Sequence, residues 1–151
     1  MQQVTLGQTG LRVSTIAFGT WQRRLGRDRL VIATKGRPPA APSWRDHPGR
    51  EPGLDPHGVE ASLTALDTDY IDLYQLHWPD PATPFQATAE ELAKLRADGK
   101  IRHVGVSPFD AAQMNEFSAT LQVETLQPPY HPLRRDIEEP GHVDDAIAAV
   151  T

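Results

Sequence analysis

Apolar residues in this chain gather into short runs that stop on a polar side chain. Residues 31–35 end on Lys35, 71–77 on His77, 104–107 on Ser107 and 123–127 on Gln127. Short apolar runs rich in Val, Ile and Leu predict buried strands. Helical patterns separate most of them. Residues 57–66 place Val59, Leu63 and Leu66 on one face. Thr88 is the expected N-cap of a helix whose Leu92 and Leu95 face inward until Asp98 and Gly99 end it, and Asp110 begins another through Met114 and Phe117. Strands alternating with helices predict parallel pairing, and side chains at the carboxyl ends of such strands converge on one mouth. The expected fold is α/β, of the (β/α)8 TIM-barrel type.

The remaining segments complete that expectation and limit it. Residues 4–13 alternate around a turn at 7–10, which predicts an N-terminal β-hairpin at the bottom of the barrel. A first parallel strand is expected at 15–18. The connector 22–29 is too short for the crossover of about a dozen residues that paired parallel strands need. Either the flanking strands are not neighbours, or a strand and its helices are missing between them. Residues 36–56 hold six prolines and form a long loop, a lid or a loose connector. The last strand is expected at 121–127, stopped by Pro128 and Pro129, with one more helix at 143–150. A complete barrel takes about 250 residues. A chain of 151 therefore predicts a single partial barrel domain spanning 1–151.

Composition changes the picture little. A net charge of −5 with scattered Lys and Arg argues against nucleic acid as a partner. No apolar run approaches a membrane span and the first residues lack a secretory pattern, so a cytoplasmic protein without membrane contact is expected. Zero cysteines exclude disulfides and thiolate chemistry within this chain. The histidines at 47, 57, 103, 131 and 142 lack metal-ligand spacing, so no metal is expected.

The strand-end residues carry the candidate chemistry. Lys35 can lose water at a buried strand end and tune a neighbouring acid, or it is a rim lysine reaching solvent. His77 can donate from a neutral imidazole to a carbonyl oxygen while Trp78 walls a substrate pocket, or it is a packed histidine bonded to backbone. Ser107 and Gln127 offer a hydroxyl beside a carboxamide, a grip suited to the amide of a nicotinamide ring, or each is a hydrogen bonder at a loop start. Gly19, Thr20 and Trp21 leave the first strand where a phosphate or ribose can approach bare backbone, or Gly19 simply makes a turn. No phosphate-cradling glycine loop and no nucleophile elbow occurs.

Read together, Leu6 to Ser14, Phe18-Gly19-Thr20-Trp21, Ile32 to Lys35, Tyr70 to His77 and Gly99 to Ser107 resemble the aldo-keto reductase superfamily. The resemblance implies NAD(P)H-dependent reduction of aldehydes or ketones to alcohols, with NADPH as cofactor and NADH possible. It implies a small-molecule carbonyl substrate and a monomer or weak homo-oligomer. Lys35 and His77 match the family's catalytic lysine and orienting histidine. Ser107 and Gln127 match the nicotinamide grips, and Gly19, Thr20 and Trp21 match the cofactor-side loop. Residues 140–150 resemble the family's late helix. The departures are specific. The family's Asp and acid Tyr belong between Trp21 and Leu30 and are not there, the late strands are absent, and Pro108 stands where an asparagine is usual. The alternative is a catalytically dead reductase-like binding or regulatory subunit.

Overall fold

The structure, a computed structural model, describes residues 2–16, 27–36, 56–81 and 83–138. Strands β1 (Gln3–Thr5) and β2 (Arg12–Ser14) pair antiparallel with Val4 opposite Val13. Their turn is held by the Thr9 hydroxyl, which donates to the Leu6 carbonyl at 2.6 Å and accepts from the Leu11 N–H at 3.1 Å. Gly7 sits in this turn at φ +50, and a Cβ there would lie 2.3 Å from the Glu124 carbonyl, so only glycine allows the approach. Gln8 then donates its N–H to that carbonyl at 3.3 Å. The hairpin is thereby docked at the amino end of the last strand, the bottom of the expected barrel.

Four strands form one parallel sheet in chain order: β3 (Ala33–Gly36), β4 (Ile71–Leu76), β5 (Ile101–Val106) and β6 (Thr125–Leu126). Helix α1 (Pro56–Leu66) lies between β3 and β4, α2 (Phe85–Ala97) between β4 and β5, and α3 (Ala111–Ser118) between β5 and β6. Consecutive parallel order is the arc of a (β/α)8 barrel; a doubly wound sheet reverses its order at a switch point. The core forms where Tyr74, Leu76, Val104 and Val106 meet Val59 and Leu63 of α1, Leu92 and Leu95 of α2, and Met114 and Phe117 of α3. All of these are buried.

Helix ends follow from local chemistry. Asp110 accepts from the Gln113 N–H at 2.8 Å while Gln113 accepts from the Asp110 N–H at 3.0 Å, a complete capping box that starts α3 as expected. Gly99, at φ +75, ends α2: its N–H donates to Arg96 and that of Lys100 to Leu95, both at 3.0 Å. The expected N-cap at Thr88 is wrong. Helix α2 starts at Phe85 behind Pro84, which makes no side-chain cap. Phe85 packs on Phe109 with ring centroids 5.4 Å apart, so tertiary packing rather than a cap sets this start.

Three further boundaries differ. Strand β3 begins at Ala33 rather than at residue 31, and β6 is two residues rather than 121–127. At β6 the Glu124 carboxylate accepts from the Val104 N–H at 3.0 Å, so a side chain takes the place of a ladder acceptor and the regular pairing shortens. Thr15 and Ile16 form a bend rather than the start of a strand. The rest of that predicted strand, most of the proline-rich loop and the helix at 143–150 lie outside the described residues.

Asp72 is 3% exposed. Its carboxylate accepts from Arg27 at 2.6 Å, from Arg102 at 3.1 Å and from the Ile32 N–H at 2.9 Å. Both guanidiniums also cover Tyr70, 3.7 and 3.8 Å from its ring centroid. This cluster ties β4 to its neighbours at the amino end of the sheet. Replacing Asp72 with Ala leaves the well-covered Arg27 without its anion and should lower unfolding free energy by about 3 kcal/mol in urea titrations. Replacing Arg102, which is half-exposed, should cost under about 1 kcal/mol.

Candidate active site

Side chains alternate between the two faces of a strand, and register transmits that alternation across the sheet. Lys35 pairs with Gln75, Gln75 with Gly105 and Gly105 with Thr125. Tyr74, Leu76, Val104 and Val106 face the helices, so this row faces the lumen side. One step further along each strand pair stand His77, Ser107 and Gln127, on the same side and at the carboxyl ends. Lys35, His77, Ser107 and Gln127 are thus brought to one mouth.

The contact between Lys35 and Ser107 defines the geometry. Lys35 Nζ lies 3.5 Å from Ser107 Oγ, although the two residues stand on β3 and just after β5, two strand spacings of about 4.8 Å apart. The lysine side chain therefore reaches across β4 toward Ser107. Ser107 is buried and His77 half-buried, while Lys35 itself is exposed. Of the two readings of Lys35, the exposed side chain fits the rim lysine rather than the desolvated one. The His77 N–H donates to the Gly36 carbonyl at 2.9 Å, which ties the end of β4 to β3. The His77 ring lies 5.7 Å from that of Trp78, tilted by 39°. Trp78 is 52% exposed and forms a flap at the rim rather than a closed wall.

Gln127 is exposed, with its backbone N–H donating to the Val106 carbonyl at 2.9 Å. Gly19, Thr20 and Trp21 lie outside the described residues. A groove of about 420 Å³ is lined by Pro79, Asp80, Phe85, Gln113 and Glu116. Its lining includes none of the strand-end candidates, so the mouth and this groove are separate features. Among the described residues no group of three His, Asp or Glu is placed to hold a metal ion, and no helix is long and apolar enough to cross a membrane.

Gln75, Gly105 and Thr125 were not among the residues singled out from the sequence. The signal was present: each stands two positions before a candidate, so each shares its face. The tyrosines stand elsewhere. Tyr70 lies between the guanidiniums and Tyr74 is buried toward the helices. Tyr130 donates to Glu138, whose carboxylate raises the phenol's pKa from its ordinary 10.0. Arg135, with Tyr130, holds the Glu138 carboxyl below its ordinary 4.5.

The family model for the aldo/keto reductase family matches residues 14–143. The chain belongs to the aldo/keto reductase family. It is 44% identical over 118 residues to the aldo-keto reductase YhdN of Bacillus subtilis (strain 168), covering 75% of this chain and 34% of that protein. It is 32% identical over 119 residues to the glyoxal reductase of the same organism, covering 78% and 40%. The crystal structure of an aldo-keto reductase from Klebsiella pneumoniae in complex with NADPH superposes with a TM-score of 0.65 at 34% identity, over 82% of this chain and 41% of that one. The chain thus spans a third to two fifths of the length of these relatives. The lumen mouth found above is the mouth of a partial (β/α)8 barrel.

The tyrosine and glutamate beyond β6 give a pH test. Glu138, with its lowered pKa, supports the Tyr130 contact above the ordinary 4.5 and loses it as pH falls through the lowered value. Tyr130, with its raised pKa, supports it below the ordinary 10.0 and loses it as pH rises through the raised value. The Tyr130 ring signals should stay constant between these limits and change outside them, and Glu138→Gln should flatten the acid side of an NMR titration.

Proposed function

We propose that this chain carries the lysine–histidine side of a reductase site that binds NADPH, or alternatively NADH, and reduces small aldehydes or ketones to alcohols in the cytoplasm. The observation that carries the reading is the Lys35 side chain reaching across β4 to bring its ammonium 3.5 Å from Ser107 Oγ. The residues present suit the nicotinamide end of the cofactor. Ser107 and Gln127 follow adjacent paired strands and offer a hydroxyl beside a carboxamide, complementary to an amide that both donates and accepts. Gly19, Thr20 and Trp21 are assigned to the remainder by resemblance. The bound cofactor supplies a hydride.

The chain's own residues do the rest. His77 offers an N–H toward a carbonyl oxygen at the mouth, and the Lys35 ammonium places positive charge where negative charge develops. Trp78, beside His77, offers an exposed apolar ring to the substrate. Lys35 and His77 are the proton-bearing groups that reach the mouth among the described residues, since the tyrosines stand elsewhere. Small aldehydes are the substrate class to test first, in keeping with the glyoxal reductase relative. The displaced tyrosines favour a second reading, a binding subunit that holds cofactor without turnover.

Two measurements separate these readings. NADPH fluorescence should titrate with this chain, and Ser107→Ala should weaken binding about two- to ten-fold, the worth of one hydrogen bond; no binding at millimolar protein sinks both readings. Carbonyl-dependent NADPH oxidation should run about 10²–10⁴-fold below that of a relative with a positioned acid. Lys35→Met should remove what remains, and binding with no measurable oxidation selects the subunit.

A further inference from the structure

Gly36 is the joint between the two strand-end residues to which the reductase reading gives the chemistry. It follows Lys35 directly in the chain, and its carbonyl accepts from the His77 N–H at 2.9 Å. Alternation sends the Lys35 side chain to the lumen and turns the next position toward the helices. On that side stands Tyr74, two residues before Leu76, the register partner of Gly36. A Cβ on Gly36 would overlap the Tyr74 hydroxyl and Cζ and lie 3.0 Å from Cε1. The end of the phenol therefore fills the space that a side chain would take, and only glycine permits the approach. Tyr74 is 1% exposed and belongs to the apolar core. In a close-packed interior such a ring does not withdraw to make room.

We infer that Tyr74 is a positioning residue: packed on Gly36 from the helix side, it fixes the carboxyl end of β3 and, through that one glycine, sets Lys35 and His77 relative to each other. The coupling is covalent toward Lys35 and a hydrogen bond toward His77. A shift of the Gly36 backbone draws the Lys35 backbone with it and breaks the bond from His77, because both meet at that residue. The 3.5 Å approach of Lys35 Nζ to Ser107 Oγ depends on the same strand end, since the side chain has to span β4 to make it. Tyr74 faces away from the lumen and acts only through the backbone it supports. The use of this placement in reduction rests on the proposed reductase reading; the packing joint does not.

Amide hydrogen exchange and nuclear Overhauser contacts in the full chain without cofactor test the joint. In Gly36→Ala the His77 N–H should exchange about ten-fold faster, the effect of opening one hydrogen bond, and the contact between the Lys35 and Ser107 side chains should be lost. The Val104 N–H of β5, bonded to the Glu124 carboxylate, should keep its rate. Adding Tyr74→Leu, which removes the overlapping atoms, should restore the His77 rate and the Lys35 contact together. A native His77 rate in Gly36→Ala, equal acceleration of His77 and Val104, or no rescue by Tyr74→Leu overturns the inference. If Gly36→Ala does not fold, Tyr74→Phe reads the joint from its other side: loss of the hydroxyl should speed His77 exchange and leave Val104 unmoved, and an unchanged His77 rate overturns the inference. Failure of the native chain to bind NADPH defeats the reductase reading alone, since none of these measurements uses the cofactor.

Discussion

Register between four consecutive parallel strands is the constraint on which the rest of this molecule depends. Pairing of Lys35 with Gln75, Gln75 with Gly105 and Gly105 with Thr125 sends one row of side chains to the lumen and the alternate row to the helices. A slip of one residue in any strand would carry its Lys, His, Ser or Gln into the apolar layer. The core makes that slip costly, since Tyr74, Leu76, Val104 and Val106 are all buried against helices. Packing of the outer layer and placement of the inner chemistry are therefore one condition.

Two polar assemblies hold the register from the amino end. Asp72 gathers Arg27, Arg102 and the Ile32 N–H around the start of β4. Glu124 gathers His103 at 3.0 Å and the Val104 N–H before β6, and its carbonyl receives the hairpin turn. Both carboxylates are buried, where ionic hydrogen bonds are strong and unpaired charge is expensive. The carboxyl ends are left comparatively open, with Lys35, Trp78 and Gln127 exposed. Rigid base and open rim are the division of labour expected of a barrel enzyme.

Among the departures from the family's pattern, the missing acid tyrosine bears most directly on the chemistry. A lysine in this fold is most useful beside an acid whose pKa it lowers, yet the tyrosines of the described residues are committed to other contacts. Tyr130, hydrogen-bonded to Glu138, has its pKa raised, the opposite of what such an acid requires. What the mouth retains is a cation, an imidazole and a hydroxyl, a set suited to binding and polarising a carbonyl more than to protonating it quickly.

Periodicity alone made much of this legible. Apolar runs ending on Lys35, His77, Ser107 and Gln127 indicated parallel strands with a shared mouth, and Asp110 with Gln113 marked a helix start, because strand alternation and capping are local chemistry. The start of α2 at Phe85, the shortening of β6 by Glu124 and the burial of Asp72 needed the fold, since each is set by a partner distant in sequence. The same holds within the site: sequence established which side chains share a face, whereas only the tertiary structure decided that Lys35 crosses β4 to Ser107 and that Tyr74 packs on Gly36. Distances between strands belong to register and packing, which no single segment contains.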